Sequence, residues 1–159
     1  MPKFNVTSTV PFSAEQVYAI SCDVAQYRQF IPLVKRSLVR DVVKNADGTE
    51  SFEAELTVAY KKLNIEETMA SKVKADPAKF TVVSTAQDGP VKHLVSTWTI
   101  KPQGPNSCEV TLDVDYALKS KALQFVLSGM FDMIVRRIMT AFEERARTLY
   151  GAGSKVAAT

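Results

Sequence analysis

The sequence offers few of the residue patterns that perform catalysis, and its single histidine is His93. A Ser-His-Asp triad could use only this residue, and one histidine cannot build a His-rich metal site. The alternation of residues 91–101 directs His93 away from Leu94 and Trp98, so we expect it to face solvent. The sequence contains no glycine-rich phosphate loop, HExxH motif or nucleophile elbow. These features favour a binding protein, with an enzyme that uses a few polar groups inside a cavity as the alternative.

Glu67 is the carboxylate whose spacing suggests a role. It falls on the same predicted strand face as Leu63, Ile65 and Met69, where a carboxylate is costly unless it has a partner. One hypothesis is that Glu67 hydrogen-bonds a ligand headgroup or acts as a general base. The other is that a bulge or the end of the sheet brings it to water, which requires no ligand and is the simpler interpretation.

The charged residues limit the possible partners. The 159-residue chain has a formal net charge of +3, an excess too small to indicate DNA binding. Lys35, Arg36 and Arg40 form one basic cluster, and Arg136 and Arg137 form another on a predicted helix. Such clusters ordinarily solvate a surface, but an anionic membrane or ribosomal RNA could also attract them. The aromatic residues that accompany a nucleic-acid surface are missing beside them.

The sequence also predicts where the protein works. No apolar run approaches the roughly 20 residues that span a bilayer, and the first residues carry no apolar secretory segment. Cys22 and Cys108 form no CxxC or zinc-ligand pattern, so we expect two reduced, partly buried thiols. We therefore expect a cytoplasmic protein, or one that lies peripherally at the inner face of the membrane.

The elements that position these residues follow from the hydrophobic periodicity. Residues 4–10 alternate between apolar and polar side chains, which predicts a strand. Ser13 and Gln16 have the spacing of a capping box and predict the start of a helix. A second short helix is predicted for residues 25–30, before Pro32 stops it.

The middle of the chain has the two-residue period of antiparallel strands. The alternation is clear in residues 52–60, 63–73, 94–100 and 110–116, and it is weaker in 34–44 and 80–86. Turn sequences rich in Asp, Asn, Gly and Pro separate these segments. With the first strand, the total is about seven strands.

The last segment changes to helical spacing. Apolar residues recur at steps of three and four between residues 120 and 150. Ser120 is suited to cap the start of this segment, and Gly151 is suited to end it. We predict one continuous helix, about 45 Å long at the usual rise per residue.

These elements predict an α+β fold. A curved antiparallel sheet of about seven strands would wrap around a long C-terminal helix, with two short helices after the first strand. We expect one domain over residues 1–151 and a flexible tail over residues 152–159. The side chains between sheet and helix either fill the space as core or line a tunnel for an apolar ligand. Methionines on the helix, such as Met130, suit a wall that adapts to a flexible ligand, but they also fill ordinary cores.

Three segments resemble the coenzyme-Q-binding START-domain family of the helix-grip, or Bet v 1-like, superfamily. Residues 27–32, Tyr-Arg-Gln-Phe-Ile-Pro, are similar to a Tyr-x-x-Phe-Leu-Pro segment of that family. Residues 94–102 are similar to its Leu-x-x-x-Trp-x-Phe-x-Pro strand, and residues 114–120 and 141–146 to its last strand and C-terminal helix. The chain departs from the family at Leu33-Val34, where many relatives carry Trp-Cys, so contacts at the cavity mouth are expected to differ.

The resemblance implies a helix-grip protein that binds ubiquinone or another polyprenyl lipid in an apolar tunnel. Such a protein would act as a carrier or chaperone that supports respiratory electron transport, with the quinone as ligand and no catalytic cofactor or metal. The same group includes ribosome-association toxins, and the wider superfamily includes polyketide cyclases, so ribosome binding and cyclase-like catalysis are the alternatives. The expected ligand-binding residues are Phe30, Pro32, Leu33, Leu56, Tyr60, Met69, Leu94, Trp98, Leu127, Met130, Ile134 and Ile138.

Overall fold

A seven-stranded antiparallel sheet forms the body of the protein, with its strands in the order β1-β7-β6-β5-β4-β3-β2. The computed structural model describes residues 3–151, and the predicted tail of residues 152–159 lies outside them. The strands are β1 (Lys3–Val10), β2 (Val34–Lys44), β3 (Glu50–Tyr60), β4 (Ile65–Asp76), β5 (Thr81–Ala86), β6 (Val91–Gly104) and β7 (Ser107–Leu118). The helices are α1 (Ala14–Cys22), α2 (Lys121–Ser128) and α3 (Phe131–Tyr150), and 3-10 helices cover Val24–Gln29 and Lys61–Leu63. The predicted α+β helix-grip architecture is confirmed.

The two short helices after β1 begin where the sequence predicted them. The Ser13 hydroxyl accepts a hydrogen bond from the Gln16 backbone N–H at 3.2 Å. The Gln16 side chain accepts one in return from the Ser13 N–H at 3.1 Å. This capping box satisfies two backbone donors that the first turn of α1 would otherwise leave unpaired. The 3-10 helix Val24–Gln29 then occupies the place of the second predicted helix.

The strand register sorts the side chains of the sheet into rows. Ser84 of β5 is paired across the sheet with Ser96 of β6. In the adjacent row, Val82 is paired with Trp98, which is paired in turn with Leu112 of β7. Residues two positions apart on a strand share a face, so both rows belong to the concave face. The helices α2 and α3 lie over that face.

The C-terminal helix differs from the continuous rod that its periodicity predicted. It is broken at Gly129 and Met130 into α2 and α3. Gly129 donates its N–H to the Val126 carbonyl at 3.3 Å, and Met130 donates to the Leu127 carbonyl at 3.0 Å. These bonds span three residues and tighten the chain into a 3-10-type turn. Glycine costs about 1 kcal/mol relative to alanine inside a helix, so the one glycine of the segment is where the helix breaks most easily.

The two parts of the broken helix differ in burial. In α3 the residues Val135, Met139, Phe142 and Ala146 are buried at steps of three and four, which packs one stripe of the helix against the sheet. In α2 no residue is buried. Within residues 3–151, no helix has the length and the apolar character needed to cross a membrane.

Candidate ligand cavity

A cavity of about 310 Å³ separates the concave face of the sheet from α2 and α3. This volume is near the lower end of the roughly 300–1,000 Å³ typical of small-molecule sites. The lining is mostly aliphatic and aromatic, and the polar side chains that reach it include Glu67, Ser84 and Ser96. The space between the two layers is therefore open, where the periodicity of the sequence allowed either a filled core or a tunnel.

Most residues predicted to bind ligand line this cavity. They are Pro32 and Leu33 before β2, Leu56 and Tyr60 of β3, Met69 of β4, Leu94 and Trp98 of β6, Leu127 of α2, and Ile134 and Ile138 of α3. The fold thus brings together side chains that are separated by up to 106 positions along the chain, from Pro32 to Ile138. Contact with a ligand stays a prediction for all of them.

Phe30 and Met130 are not part of the cavity lining, although the sequence analysis placed them there. The Phe30 ring packs against Phe142 of α3 at a centroid distance of 5.2 Å, and the Arg145 guanidinium lies 5.2 Å above it. Phe30 therefore holds the 3-10 helix segment against α3. Met130 lies in the turn between α2 and α3, because the helix break removes it from the stripe to which a continuous period would assign it.

One end of the cavity is closed by packed aromatic rings. Trp98 and Phe142 lie 4.3 Å apart between centroids, and Tyr27 is 5.6 Å from Phe142. The Tyr27 hydroxyl is not free to meet a ligand, since it donates a hydrogen bond to the Ser21 carbonyl. Complete burial raises the pKa of Tyr27 well above its ordinary value, so this hydroxyl stays protonated and structural.

The other end of the cavity is its mouth, where Glu67 lies. Glu67 is exposed and pairs with Val58 in a β3–β4 register that runs without interruption from Glu50↔Ala75 to Tyr60↔Ile65. No bulge is therefore present between these strands, and Glu67 reaches water because it lies near the end of the sheet. Of the two hypotheses for this residue, the end-of-sheet interpretation accounts for its exposure.

The helix α2 borders this mouth and is apolar on both its inner and its outer side. Leu123 and Leu127 contribute to the cavity lining. Phe125, on a different side of the helix, is 82% exposed, and Val126 is 41% exposed. One exposed apolar residue is ordinary, but Phe125 and Val126 are adjacent and expose apolar surface together, which is the kind of patch that marks an interaction surface.

Two features of the cavity were missed by the sequence analysis. The first is the pair Ser84 and Ser96, whose hydroxyl-bearing side chains share the concave face with Val82 and Trp98. Strand parity could have placed them there, but the weak alternation of residues 80–86 hid it. The second is the stacking of Tyr116 on Phe131 at 4.2 Å and 21°, which no short-range period encodes.

His93 lies on the opposite, convex face of the sheet. The expectation that it points away from Leu94 and Trp98 is confirmed, but its side chain is only 24% exposed. Its Nε2 lies 3.0 Å from the Asp115 carboxylate, and this hydrogen bond is the main cause that lowers the pKa of Asp115 below its ordinary value. Over residues 3–151, no cluster of three or more His, Cys, Asp or Glu side chains is arranged to hold a metal.

The basic clusters are largely paired within the protein. Lys35, Arg40 and Arg136 each lie between 2.8 and 3.2 Å from a carboxylate of a neighbouring side chain. These pairs are exposed and contribute little to stability. They do reduce the positive charge that the clusters present to an anionic partner.

Both cysteines are free thiols, as the sequence predicted. Cys22 is half-buried and Cys108 is fully buried in β7. Burial raises the pKa of the Cys108 thiol to about 11, which keeps it protonated and unreactive at neutral pH.

Comparison with known proteins identifies two kinds of relative. The ribosome association toxin RatA of Escherichia coli strain K12 is 27% identical over 154 residues, covering 96% of this chain and 91% of RatA. The mitochondrial coenzyme Q-binding protein COQ10 of Dictyostelium discoideum is 30% identical over 151 residues, covering 94% of this chain and 71% of COQ10. COQ10 of Drosophila melanogaster is 33% identical over 149 residues, and the chain spans 91% of its own length and 58% of that protein.

Solved structures share the fold. A START superfamily protein from Mycobacterium smegmatis superposes with a TM-score of 0.78 at 22% identity, covering 92% of this chain and 98% of that one. The Zhui aromatase/cyclase from Streptomyces sp. R1128 superposes with a TM-score of 0.66 at 18% identity, covering 91% and 90%. At these identities the likeness concerns the fold alone.

The family model described as polyketide cyclase/dehydrase and lipid transport matches residues 10–143. That match covers most of the chain and includes the strands and helices that surround the cavity. The chain therefore belongs to the polyketide cyclase/dehydrase and lipid transport family, and its relatives include the COQ10 and RatA proteins.

Proposed function

We propose that the protein binds a polyprenyl quinone, or a closely related isoprenoid lipid, and carries it without transforming it. The observation that carries this proposal is the apolar cavity of about 310 Å³ between sheet and helices. Each methylene group removed from water contributes about 0.8 kcal/mol, so an isoprenoid chain binds such a cavity without strong polar contacts. Two relatives are named for binding coenzyme Q, which favours a quinone among apolar ligands.

The cavity cannot enclose a long isoprenoid tail. Its volume suits a drug-sized molecule, so the remainder of a long tail must leave through the mouth beside Glu67. At that position the protruding chain would meet α2. The outward-facing Phe125 extends the apolar surface from the cavity to the outside of the protein.

We place the membrane contact of the carrier at α2. Phe125, Val126 and the nearby Met133 of α3 are 82%, 41% and 47% exposed. Lys119 and Lys121 flank the start of the helix and are exposed. An amphipathic helix with outward apolar residues and adjacent lysines is suited to lie in the interface of an anionic bilayer. A lipid could then pass between cavity and membrane without crossing water.

A non-catalytic role fits the positions of the two residues considered for acid–base chemistry. His93 lies on the convex face beside Asp115, outside the cavity. Glu67 is exposed at the mouth, far along the sheet from the aromatic rings of the closed end. General acid–base catalysis needs such groups within hydrogen-bond reach of one reacting centre, and this arrangement does not provide it.

Lipid extraction and mass spectrometry of the purified protein test the proposal. We expect a stoichiometric isoprenoid quinone in the wild type and little in Met69→Trp, which fills the cavity. The matched control is Leu149→Trp, which places the same side chain at an exposed position of α3 outside the cavity lining and away from α2, and should keep its lipid. Absence of lipid from the wild type, together with no uptake of added ubiquinone, would overturn the carrier proposal.

Ribosome association is a second candidate function, favoured by the 27% identity to RatA over 91% of that toxin. The protein surface, and not the cavity, would then carry the activity, and the exposed side chains of Arg36 and Arg137 would contact the ribosome. Co-sedimentation with ribosomes tests it. Binding that Arg36→Glu/Arg137→Glu abolishes and Met69→Trp leaves intact would place this function first, whereas no co-sedimentation would eliminate it.

A further inference from the structure

We propose that Ser84 and Ser96 form a polar subsite inside the cavity that holds a hydrogen-bond acceptor of the ligand. A quinone would accordingly enter with its ring first and leave its isoprenoid tail at the mouth. This inference rests on the lipid-binding function proposed above and adds the orientation of the ligand and the chemical group that is recognised.

The two serines are placed side by side. Ser84 of β5 and Ser96 of β6 are direct cross-strand partners, and both line the cavity. The Cβ atoms of such partners are typically about 4.5–5.5 Å apart, so two hydroxyl groups can point to one acceptor or to two neighbouring acceptors. A ubiquinone ring carries carbonyl and methoxy oxygens close to one another, which suits such a pair.

The subsite lies toward the closed end of the cavity. The row of the sheet next to the serines contains Val82 and Trp98, and Trp98 packs against Phe142 to close the space. On the other side of the serines, toward the mouth, the neighbouring cross-strand pair on the concave face is Ala86 and Leu94. A group bound to the serines is thus surrounded by apolar side chains. It lies close to the Trp98 indole, which belongs to the neighbouring residue pair on the same face of the same two strands.

The hydroxyl groups have unused capacity. Within residues 3–151, no side-chain hydrogen bond uses the hydroxyl of Ser84 or Ser96, and both residues are half-buried and line the cavity. Every fully buried side-chain nitrogen or oxygen atom in that range has a hydrogen-bond partner, so these two hydroxyl groups are not fully enclosed. A hydrocarbon tail placed against them would displace water and leave both groups unpaired, which is unfavourable in an apolar site. An oxygen acceptor placed there restores the hydrogen bonds.

The mouth is chemically less suited to hold a quinone ring. A carboxylate such as Glu67 accepts hydrogen bonds and donates none, and quinone oxygens are also acceptors. Glu67 therefore cannot bind a quinone carbonyl directly. Apart from Tyr27, whose hydroxyl is already bonded, two tyrosine hydroxyl groups also belong to residues that line the cavity, those of Tyr60 and Tyr116. The Tyr116 hydroxyl lies 3.4 Å from the Ser128 hydroxyl of α2, and Tyr60 provides the comparison for the experiment.

The test compares two ligands on two double variants. A ubiquinone with a decyl tail and pentadecane, which has no oxygen, are titrated against an apolar fluorescent dye bound in the cavity. We expect Ser84→Ala/Ser96→Ala to weaken the binding of the quinone by roughly 10- to 100-fold, which corresponds to the loss of two hydrogen bonds. The affinity for pentadecane should be unchanged or higher. The matched control, Thr85→Ala/Thr97→Ala, removes hydroxyl groups from the convex side of the same two strands and should change neither affinity.

The single tryptophan reports the orientation independently. A ring at the serines lies close to Trp98, so the bound quinone should quench its fluorescence strongly in the wild type and less in the double serine variant. The orientation is overturned if the serine variant binds quinone as well as the wild type, or if Tyr60→Phe alone causes the loss. Binding of neither ligand by the wild type is a different result, since it overturns the lipid-binding function and this inference with it.

Discussion

The indole of Trp98 on β6 and the ring of Phe142 on α3 lie 4.3 Å apart between centroids, at an interplanar angle of 38°. This contact joins sheet and helix at one end of the cavity, whereas α2 at the other end has no buried residue. The fold consequently has a packed end and an open end. We expect folding stability to come mainly from the packed end, and the proposed ligand to enter at the open end.

Removing the ring at the packed end should cost stability. We expect Phe142→Ala to lower the free energy of unfolding by about 3–5 kcal/mol, because it removes a buried aromatic and leaves a void beside Trp98. Urea denaturation measures the change. Phe125→Ala is the control, and at 82% exposure it should shift the free energy by less than about 0.5 kcal/mol. Equal losses in the two variants would contradict the division into packed and open ends.

The turn before β6 depends on Gly89. Its φ is 73°, and a Cβ atom built there would lie 2.8 Å from the Thr68 carbonyl oxygen. Gly48 has a φ of 90° but no atom within 4 Å of its Cβ position. We expect Gly48→Ala to cost about 1–2 kcal/mol from the left-handed backbone alone. Gly89→Ala should cost roughly 1–3 kcal/mol more, because the neighbouring strand must also move.

Thermal denaturation of the two glycine variants in parallel measures this difference. Since both positions carry the same backbone penalty, the comparison isolates the contact with Thr68. Similar melting temperatures for the two variants would show that the backbone of β4 moves away from the added methyl group without a loss of stability.

The convex-face pair makes stability depend on pH. The hydrogen bond from His93 lowers the pKa of Asp115 in the folded protein. A carboxyl group whose folded pKa is depressed stabilises the protein above its unfolded pKa and loses that contribution as the pH falls through the folded pKa. We therefore expect His93→Ala to lose more stability relative to wild type at pH 5 than at pH 2.

Two measurements check the Asp115 prediction. The ¹³C carboxyl resonance of Asp115 should titrate at a higher pH in His93→Ala than in the wild type, and urea unfolding at pH 5 and pH 2 gives the stabilities. Lys92→Ala, at an exposed neighbouring position, is the control and should leave the titration of Asp115 nearly unchanged. An unaltered titration in His93→Ala would refute the coupling.

Transfer of lipid should depend on the exposed face of α2. We expect Phe125→Glu to slow the movement of a quinone between anionic vesicles by roughly tenfold or more, the loss expected when one aromatic side chain no longer enters the bilayer. Affinity for a short-tailed quinone in solution should stay within about twofold, because Phe125 points away from the cavity.

A vesicle-to-vesicle fluorescence assay measures this rate. Leu149→Glu, at a residue 50% exposed near the opposite end of α3, introduces the same charge elsewhere and should transfer lipid at the wild-type rate. Equal slowing in both variants would mean that net charge and not the α2 surface controls transfer.

Much of the fold could be predicted because its signals are local. The Ser13–Gln16 capping box marked the start of α1, and the two-residue period marked β3, β6 and β7. The same locality caused the error at the C-terminus. Apolar spacing alone extended one helix through Gly129, where the chain instead makes a 3-10-type turn.

The candidate site was predicted less completely than the fold. Strand parity and helical spacing selected residues that line the cavity, such as Leu56, Met69 and Ile134. Phe30 and Met130 were assigned to it wrongly, because each lies where the backbone leaves a regular element. Ser84 and Ser96 were overlooked, since a polar residue on an apolar face is recognised only when its partner on the next strand is known.

By itself, the sequence determined the type and order of the strands and helices, the apolar face of each, and the resemblance that identified the family. These properties depend on residues that are close in the chain or on short motifs. Only the tertiary structure decided that a cavity stays open, that Trp98 meets Phe142 at its closed end, and that Ser84 faces Ser96 within it. The volume between two layers and the register between strands arise from contacts between distant residues, and no local period contains them.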